Sequence, residues 1–168
     1  FAEGTAGRLM NPEVVSVRPD VSLATVLRWL RRHTALPNHT DMLTSRPVVG
    51  EFGHGVTFNS DIGGVIHDVA GSYVASVFDV VHDRGLRTGL YASKSKFAFF
   101  DRSWDGTNGR PDTIGADNGR DKIDVYYYNL LTSVLIGQFV ADMGADPFNY
   151  AMISFRDPDS AGHGFGWL

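Results

Sequence analysis

Apolar residues stand along the chain either at helical spacing or in short runs, and the alternation of the two sets the expected architecture. Leu23, Val26, Leu27 and Leu30 stand at i, i+3, i+4 and i+7 behind Ser22, a residue able to cap a helix, so an amphipathic helix is predicted there. The same spacing returns at Val74, Val77, Phe78 and Val81, which predicts a helix over 71–83 ended by Gly85 as a left-handed cap. Residues 87–92 (Arg-Thr-Gly-Leu-Tyr-Ala) follow directly and read as a strand. Ile123, Tyr127, Leu130 and Val134 mark a broad buried side, which predicts the longest helix over 121–143. Tyr150-Ala-Met-Ile-Ser-Phe155 is a continuous apolar run between turn residues and predicts a buried strand. Helix, strand, helix, strand in this order argues for an α/β protein, a partial and mainly parallel sheet with flanking helices. The segments between are polar. Residues 34–60 are rich in proline, glycine, asparagine and histidine, with a helix starting over Asp41–Thr44, and residues 101–120 form a long Asp-, Gly- and Asn-rich loop.

Composition narrows the function classes more than the fold. A chain of 168 residues fits one hydrophobic core, and a net charge of -4 gives no electrostatic reason to expect a nucleic-acid polymer or an anionic membrane as partner. The absence of cysteine excludes disulfides, thiolate nucleophiles and thiolate metal sites. No apolar run approaches the length of a membrane span. The chain opens on Phe1-Ala-Glu-Gly and stops just past a candidate metal loop, so both ends read as cut and suggest a fragment or a splice. A shortened sheet would leave apolar edges and faces uncovered.

The chemistry concentrates in the last stretch, Asp157-Pro-Asp-Ser-Ala-Gly-His-Gly-Phe-Gly-Trp167, which reads as a glycine-rich loop past the carboxyl end of strand 150–155. Open α/β sheets bind ligands at that end. Asp159 and His163, four residues apart, can converge on one cation, and such oxygen and nitrogen ligands suit zinc. Taken alone, His163 reads as a loop histidine. Lys94 and Lys96 can face a phosphate, although solvated lysines are the default. His39 and His54 read as structural, one capping the turn at 37–44 and the other packed in a glycine loop. Asp101, Asp105, Asp112 and Asp117 match no EF-hand spacing, so turn formation is expected of them.

Two resemblances divide the chain. Residues 1–33, through Met10-Asn-Pro-Glu-Val-Val-Ser-Val-Arg-Pro-Asp20 and Val26-Leu-Arg-Trp-Leu-Arg-Arg32, resemble the start of a CBS domain as found in MgtE-type magnesium transporters. That likeness implies a regulatory, ligand-sensing segment. Residues 34–168 resemble the alkaline phosphatase superfamily in its type I phosphodiesterase/nucleotide pyrophosphatase branch. The carrying stretches are Leu36-Pro-Asn-His-Thr-Asp-Met-Leu-Thr44, Gly53-His-Gly-Val-Thr-Phe-Asn59, Gly85-Leu-Arg-Thr-Gly-Leu-Tyr91 and Asp157-Pro-Asp-Ser-Ala-Gly-His163.

The second likeness implies an alkaline phosphatase-like core and a hydrolase of small-molecule phosphate mono- or diesters. Such an enzyme carries two zinc ions and a threonine or serine that forms a covalent phospho-enzyme. On the matching positions Asp159 and His163 would bind one zinc, and Asn59 would hydrogen-bond a phosphoryl oxygen. Thr34 would be the nucleophile if the loop shifts by one residue, because Ala35 stands where the family has its hydroxyl and Thr40 falls at a non-catalytic position. Two of six expected metal ligands are assigned, so an incomplete or inactive fragment is expected. The alternatives are a CBS-type regulatory module and a fused chain without selected function.

Overall fold

Apolar runs become strands where both faces of the sheet are covered, and the central strand shows this most clearly. The computed structural model describes residues 38–165. The order is α1 (His39–Thr44), α2 (Ile66–Ala70), α3 (Val77–His82), β1 (Thr88–Ala92), a 3-10 turn (Ser95–Phe97), α4 (Ala98–Ser103), β2 (Val125–Tyr128), α5 (Thr132–Ala145), β3 (Tyr150–Ser154) and α6 (Asp157–Phe165). The described strands form one parallel sheet in the order β2-β1-β3, with Leu90 opposite Tyr126 on one side and Met152 on the other. The protein is therefore α/β with a parallel sheet flanked by helices, as the alternating order of predicted helices and strands implies.

Every residue of β1 is buried. Its side chains alternate between two apolar clusters, as a pleated strand requires. Leu90 and Ala92 pack with Phe78, Phe97, Phe100 and Trp104, while Tyr91 points the other way to Leu135, Phe139 and Phe148. Fully burying each large aromatic stabilises the fold by roughly 1.5–3 kcal/mol. The Trp104 indole N–H is satisfied by the carbonyl of Val74 at 2.9 Å, and the Tyr91 hydroxyl by Asp142 at 2.5 Å.

Three predicted elements come out differently. The helix predicted over 121–143 is a strand followed by a helix. Val125-Tyr-Tyr-Tyr128 is β-branched and aromatic, pairs with β1 and turns at Asn129 before α5 begins. The helix predicted over 71–83 starts only at Val77, because Ser76 and Asp79 form a reciprocal capping box. Gly85 does adopt φ +67, and its N–H bonds the carbonyl of His82. Residues 157–165, expected as loop, form helix α6. Pro158 is tolerated in a first helical turn, and Asp157 and Asp159 complement the helix dipole there. The helix predicted behind Ser22 and the CBS-like segment lie outside the described residues. No helix among the described residues is long and apolar enough to cross a membrane. Leu131, Val134, Ile136 and Val140, on and beside α5, are left exposed.

The amino ends of the strands are closed by charge. The Lys122 side chain, completely buried, places its ammonium 2.5 Å from Asp112 Oδ1 and 3.0 Å from the carbonyl of Gly119. His82 Nδ1 lies 2.9 Å from the same Asp112 oxygen. Burial opposes ionisation of Asp112. The Lys122 ammonium, the Asn118 N–H and His82 overcome it and hold the carboxyl well below the usual carboxylate range. Thr88 hydroxyl donates to the Lys122 carbonyl at 2.7 Å, which ties this cluster to the start of β1. The loop that delivers Asp112 is pinched at its neck, where a Cβ on Gly109 would lie 1.9 Å from the carbonyl oxygen of Arg120. Asp105, Asp112 and Asp117 bond loop N–H groups, the turn-forming role expected of them.

Candidate functional site

The carboxyl ends of the strands are open. Ser93, the residue after β1, is fixed to the end of β3: its N–H donates to the Ser154 carbonyl at 3.0 Å, and its hydroxyl accepts from the Arg156 N–H at 2.5 Å. That anchoring sends Lys94 and Lys96 out over the sheet edge beside α6. A cleft of about 660 Å³ opens there, lined by Asn38, His39 and Thr40, by residues 56–60, by Lys94 and Lys96, and by Asp159, over Phe99 and Phe100.

Each wall has a local cause. Asn38 caps α1, with Oδ1 accepting the N–H of Thr40 at 2.8 Å and of Asp41 at 3.0 Å, while Asp41 returns a bond to the Asn38 N–H. Asp41 also receives the buried His54, whose Nε2 lies 2.7 Å from Oδ1 and whose Nδ1 accepts the Val56 N–H at 3.0 Å. Nδ1 as acceptor leaves the proton on Nε2, so His54 donates to Asp41. His54 is thus structural, as expected, and locks the 53–59 loop onto α1. His39 is not the cap of its turn. Its ring meets Phe97 edge-on at 4.9 Å and faces the cleft.

Inside the cleft both lysines make short contacts, one to a carboxylate and one to a carboxamide. Lys94 Nζ lies 2.5 Å from Asp159 Oδ2, and Lys96 Nζ donates to Asn59 Oδ1 at 2.5 Å. The Lys94 hydrogen bond holds the Asp159 carboxyl below its ordinary value. Burial, and then the neighbouring lysines, lower the pKa of His39, so its imidazole is neutral at neutral pH. Burial and Lys94 lower that of Lys96 as well.

The structure brings Asn59 and Asp159 into one cleft and leaves His163 off its lining. His163 falls one turn along α6 from Asp159, with Nε2 3.8 Å from Asp159 Oδ1 and a side chain 79 % exposed, and it does not line the cleft. Both candidate ligands therefore stand on a helix, not on the expected loop, and their convergence comes from i,i+4 spacing. Thr34 lies outside the described residues, ahead of Asn38. The sequence offers Lys94 and Lys96 as able to face a phosphate, with solvated lysines as the default, and it does not point to His39 or the Phe99–Phe100 floor as parts of the cleft. The usable signal was Lys94-Ser-Lys96 directly after a strand's carboxyl end.

A catalytic or structural zinc site takes three or four protein ligands. Among the described residues no group of three or more His, Asp or Glu side chains is placed to hold a metal ion, and one oxygen of Asp159 already faces an ammonium. The described residues therefore do not fit a zinc centre by themselves, and no chemical step is assigned to a metal. What they offer is cationic and neutral donors around a half-open cleft with an aromatic floor. No family model, curated protein or solved structure matches the chain.

Proposed function

We propose that the cleft holds the phosphoryl group of a small-molecule phosphate mono- or diester, and that the chain carries part of the active site of a hydrolase of the alkaline phosphatase kind. One observation carries this reading. Three stretches that bear the resemblance, distant in sequence, line the same cleft: 36–44 through Asn38, His39 and Thr40, 53–59 through Val56 to Asn59, and 157–163 through Asp159. The fourth, 85–91, runs into β1, whose carboxyl end delivers Lys94 and Lys96.

In this reading the ammonium groups of Lys94 and Lys96 attract the anionic ester, and the Asn59 amide donates to a phosphoryl oxygen. A donor aimed at developing charge lowers the barrier by about 3 kcal/mol. Thr34, ahead of the cleft wall at Asn38, is the proposed nucleophile, in keeping with a covalent phospho-enzyme. The metal dependence that the resemblance implies needs donors beyond Asp159 and His163.

Calorimetry with inorganic phosphate and turnover of bis(p-nitrophenyl) phosphate test the reading. Phosphate is expected to bind, with affinity reduced roughly tenfold by Asn59→Ala, the loss of one charge-assisted hydrogen bond. Turnover by the isolated chain is expected to be negligible. Phosphate heat that is absent, or unaffected by Asn59→Ala, would contradict the proposal. Robust zinc-dependent turnover abolished by Asp159→Ala would overturn the view that the donor set is incomplete.

A further inference from the structure

Lys96 is placed differently from the other lysine of the cleft. Lys94 is matched by a carboxylate, Asp159, at 2.5 Å. Lys96 instead meets a neutral carboxamide, with Nζ 2.5 Å from Asn59 Oδ1. The two residues are 37 positions apart in sequence and come from different walls, the turn after β1 and the loop after Val56. The Lys96 ammonium lies 5.8 Å from the centre of the neighbouring Phe97 ring, and Phe97 is completely buried. The lysine is thus carried by a rigid point of the core, while Asn59 sits on an exposed loop.

An ammonium offers three donors and no acceptor, whereas a carboxamide has one accepting and one donating end. Contact with Lys96 therefore requires Asn59 to present Oδ1 to the lysine and to turn its Nδ2 donors away from it. An unheld asparagine on a loop can present either end to the cleft, and the wrong end would set a carbonyl oxygen against an anionic ligand.

We propose that Lys96 is a positioning residue for Asn59: it holds the carboxamide by its oxygen so that the NH2 group is the end offered to a bound phosphoryl oxygen. The inference rests on the reading of the cleft as a phosphoryl site, and it deepens that reading by giving Lys96 a role through Asn59 larger than its own attraction for the anion. It also explains the division of labour between the lysines. Lys94 is engaged by Asp159, and Lys96 spends its short contact on an uncharged group whose only useful property there is its orientation.

The test has two arms, and the first needs no ligand. The carboxamide 13Cγ and 15Nδ2 resonances of Asn59 are recorded in the unmodified chain and in Lys96→Met, Lys96→Arg and Lys94→Met. Lys96→Met is expected to move them, Lys96→Arg to keep them near their original positions by restoring a donor, and Lys94→Met to leave them in place. In the second arm, inorganic phosphate is titrated through a double-mutant cycle of Lys96→Met and Asn59→Ala. Lys96→Met is expected to weaken phosphate roughly tenfold in the presence of Asn59 and about twofold in its absence, because residues that act through one another are not additive. Unmoved carboxamide resonances in Lys96→Met, or additive losses, would overturn the proposal and assign Lys96 to the anion itself. If phosphate binds to none of the variants, the phosphoryl reading fails, while the carboxamide resonances still decide whether Lys96 holds Asn59.

Discussion

At the amino end of the sheet a lysine and a carboxylate meet in a completely buried pair, Lys122 and Asp112; at the carboxyl end Lys94 and Asp159 meet at the same 2.5 Å with side chains 25 % and 47 % exposed. The contact is alike and its consequence is not. Around Lys122 the remaining partners are the carbonyl of Gly119 at 3.0 Å and the carboxylate of Asp83 at 3.6 Å, and the loop neck at Gly109 leaves no room for a side chain. That end is a closed structural lock. Around Lys94 and Lys96 the cleft is open, and Asn59 lies exposed on its rim. Charge buried with all its partners stabilises a fold conditionally, because removing one member strands the other. Charge at a cleft mouth does little for the fold and remains available to a ligand.

The comparison is broken most easily at Lys122. Lys122→Met strands Asp112 in the interior and is expected to lower unfolding stability by about 3–5 kcal/mol. Urea denaturation measures this, and a change too small to resolve would abolish the distinction between the two ends. Gly109→Ala acts on the same lock through the backbone. The added Cβ would meet the Arg120 carbonyl at 1.9 Å, so the loop neck must open, at a cost of roughly 1–3 kcal/mol in the same measurement.

Asp101, on α4, sharpens the picture through pH. Burial, and then Asp121 and Asp105, push its carboxyl up to about 6. Its folded value lies above the ordinary 3.8, so the native state holds the extra proton between these values and loses stability as pH rises through that window. Asp101→Asn is expected to stabilise the protein above pH 6 by about 1 kcal/mol, after allowance for its partial exposure, and to give no gain below pH 4. A gain that does not vary with pH would assign the effect to packing. The smallest change is expected from Lys94→Met, which should leave the urea midpoint in place while weakening phosphate at the cleft. A midpoint shift comparable to that of Lys122→Met would mean that the carboxyl end is also a lock.

How much of this was legible in the sequence follows from which interactions are local. Strands β1 and β3 could be read because each is an apolar run fenced by turn residues. β2 could not, since Tyr126 to Tyr128 continue into apolar residues of α5 without a proline or glycine between them, and only pairing with β1 distinguishes strand from helix. Helix α6 was hidden by its glycines at 162 and 164, which lower helix propensity. Its acidic first turn and Pro158 were the readable counter-signals. At the site, the sequence pointed to Asn59 and Asp159 only through the resemblance, and what the structure adds is that both line one cleft. The pairing of Lys96 with Asn59 and the facing position of His39 were not, because contacts between walls 37 and 58 residues apart leave no periodic trace.

The most direct test of the cleft as a phosphoryl site is a residue-resolved titration of the 15N-labelled chain with inorganic phosphate, with sulfate at equal ionic strength as control. The expected result is saturable movement of the amides of residues 38–40, 57–60 and 94–96, abolished by Asn59→Ala together with Lys96→Met, while residues 110–122 at the opposite end stay still. Shifts that spread over both ends of the sheet, or that persist in the double variant, would contradict it.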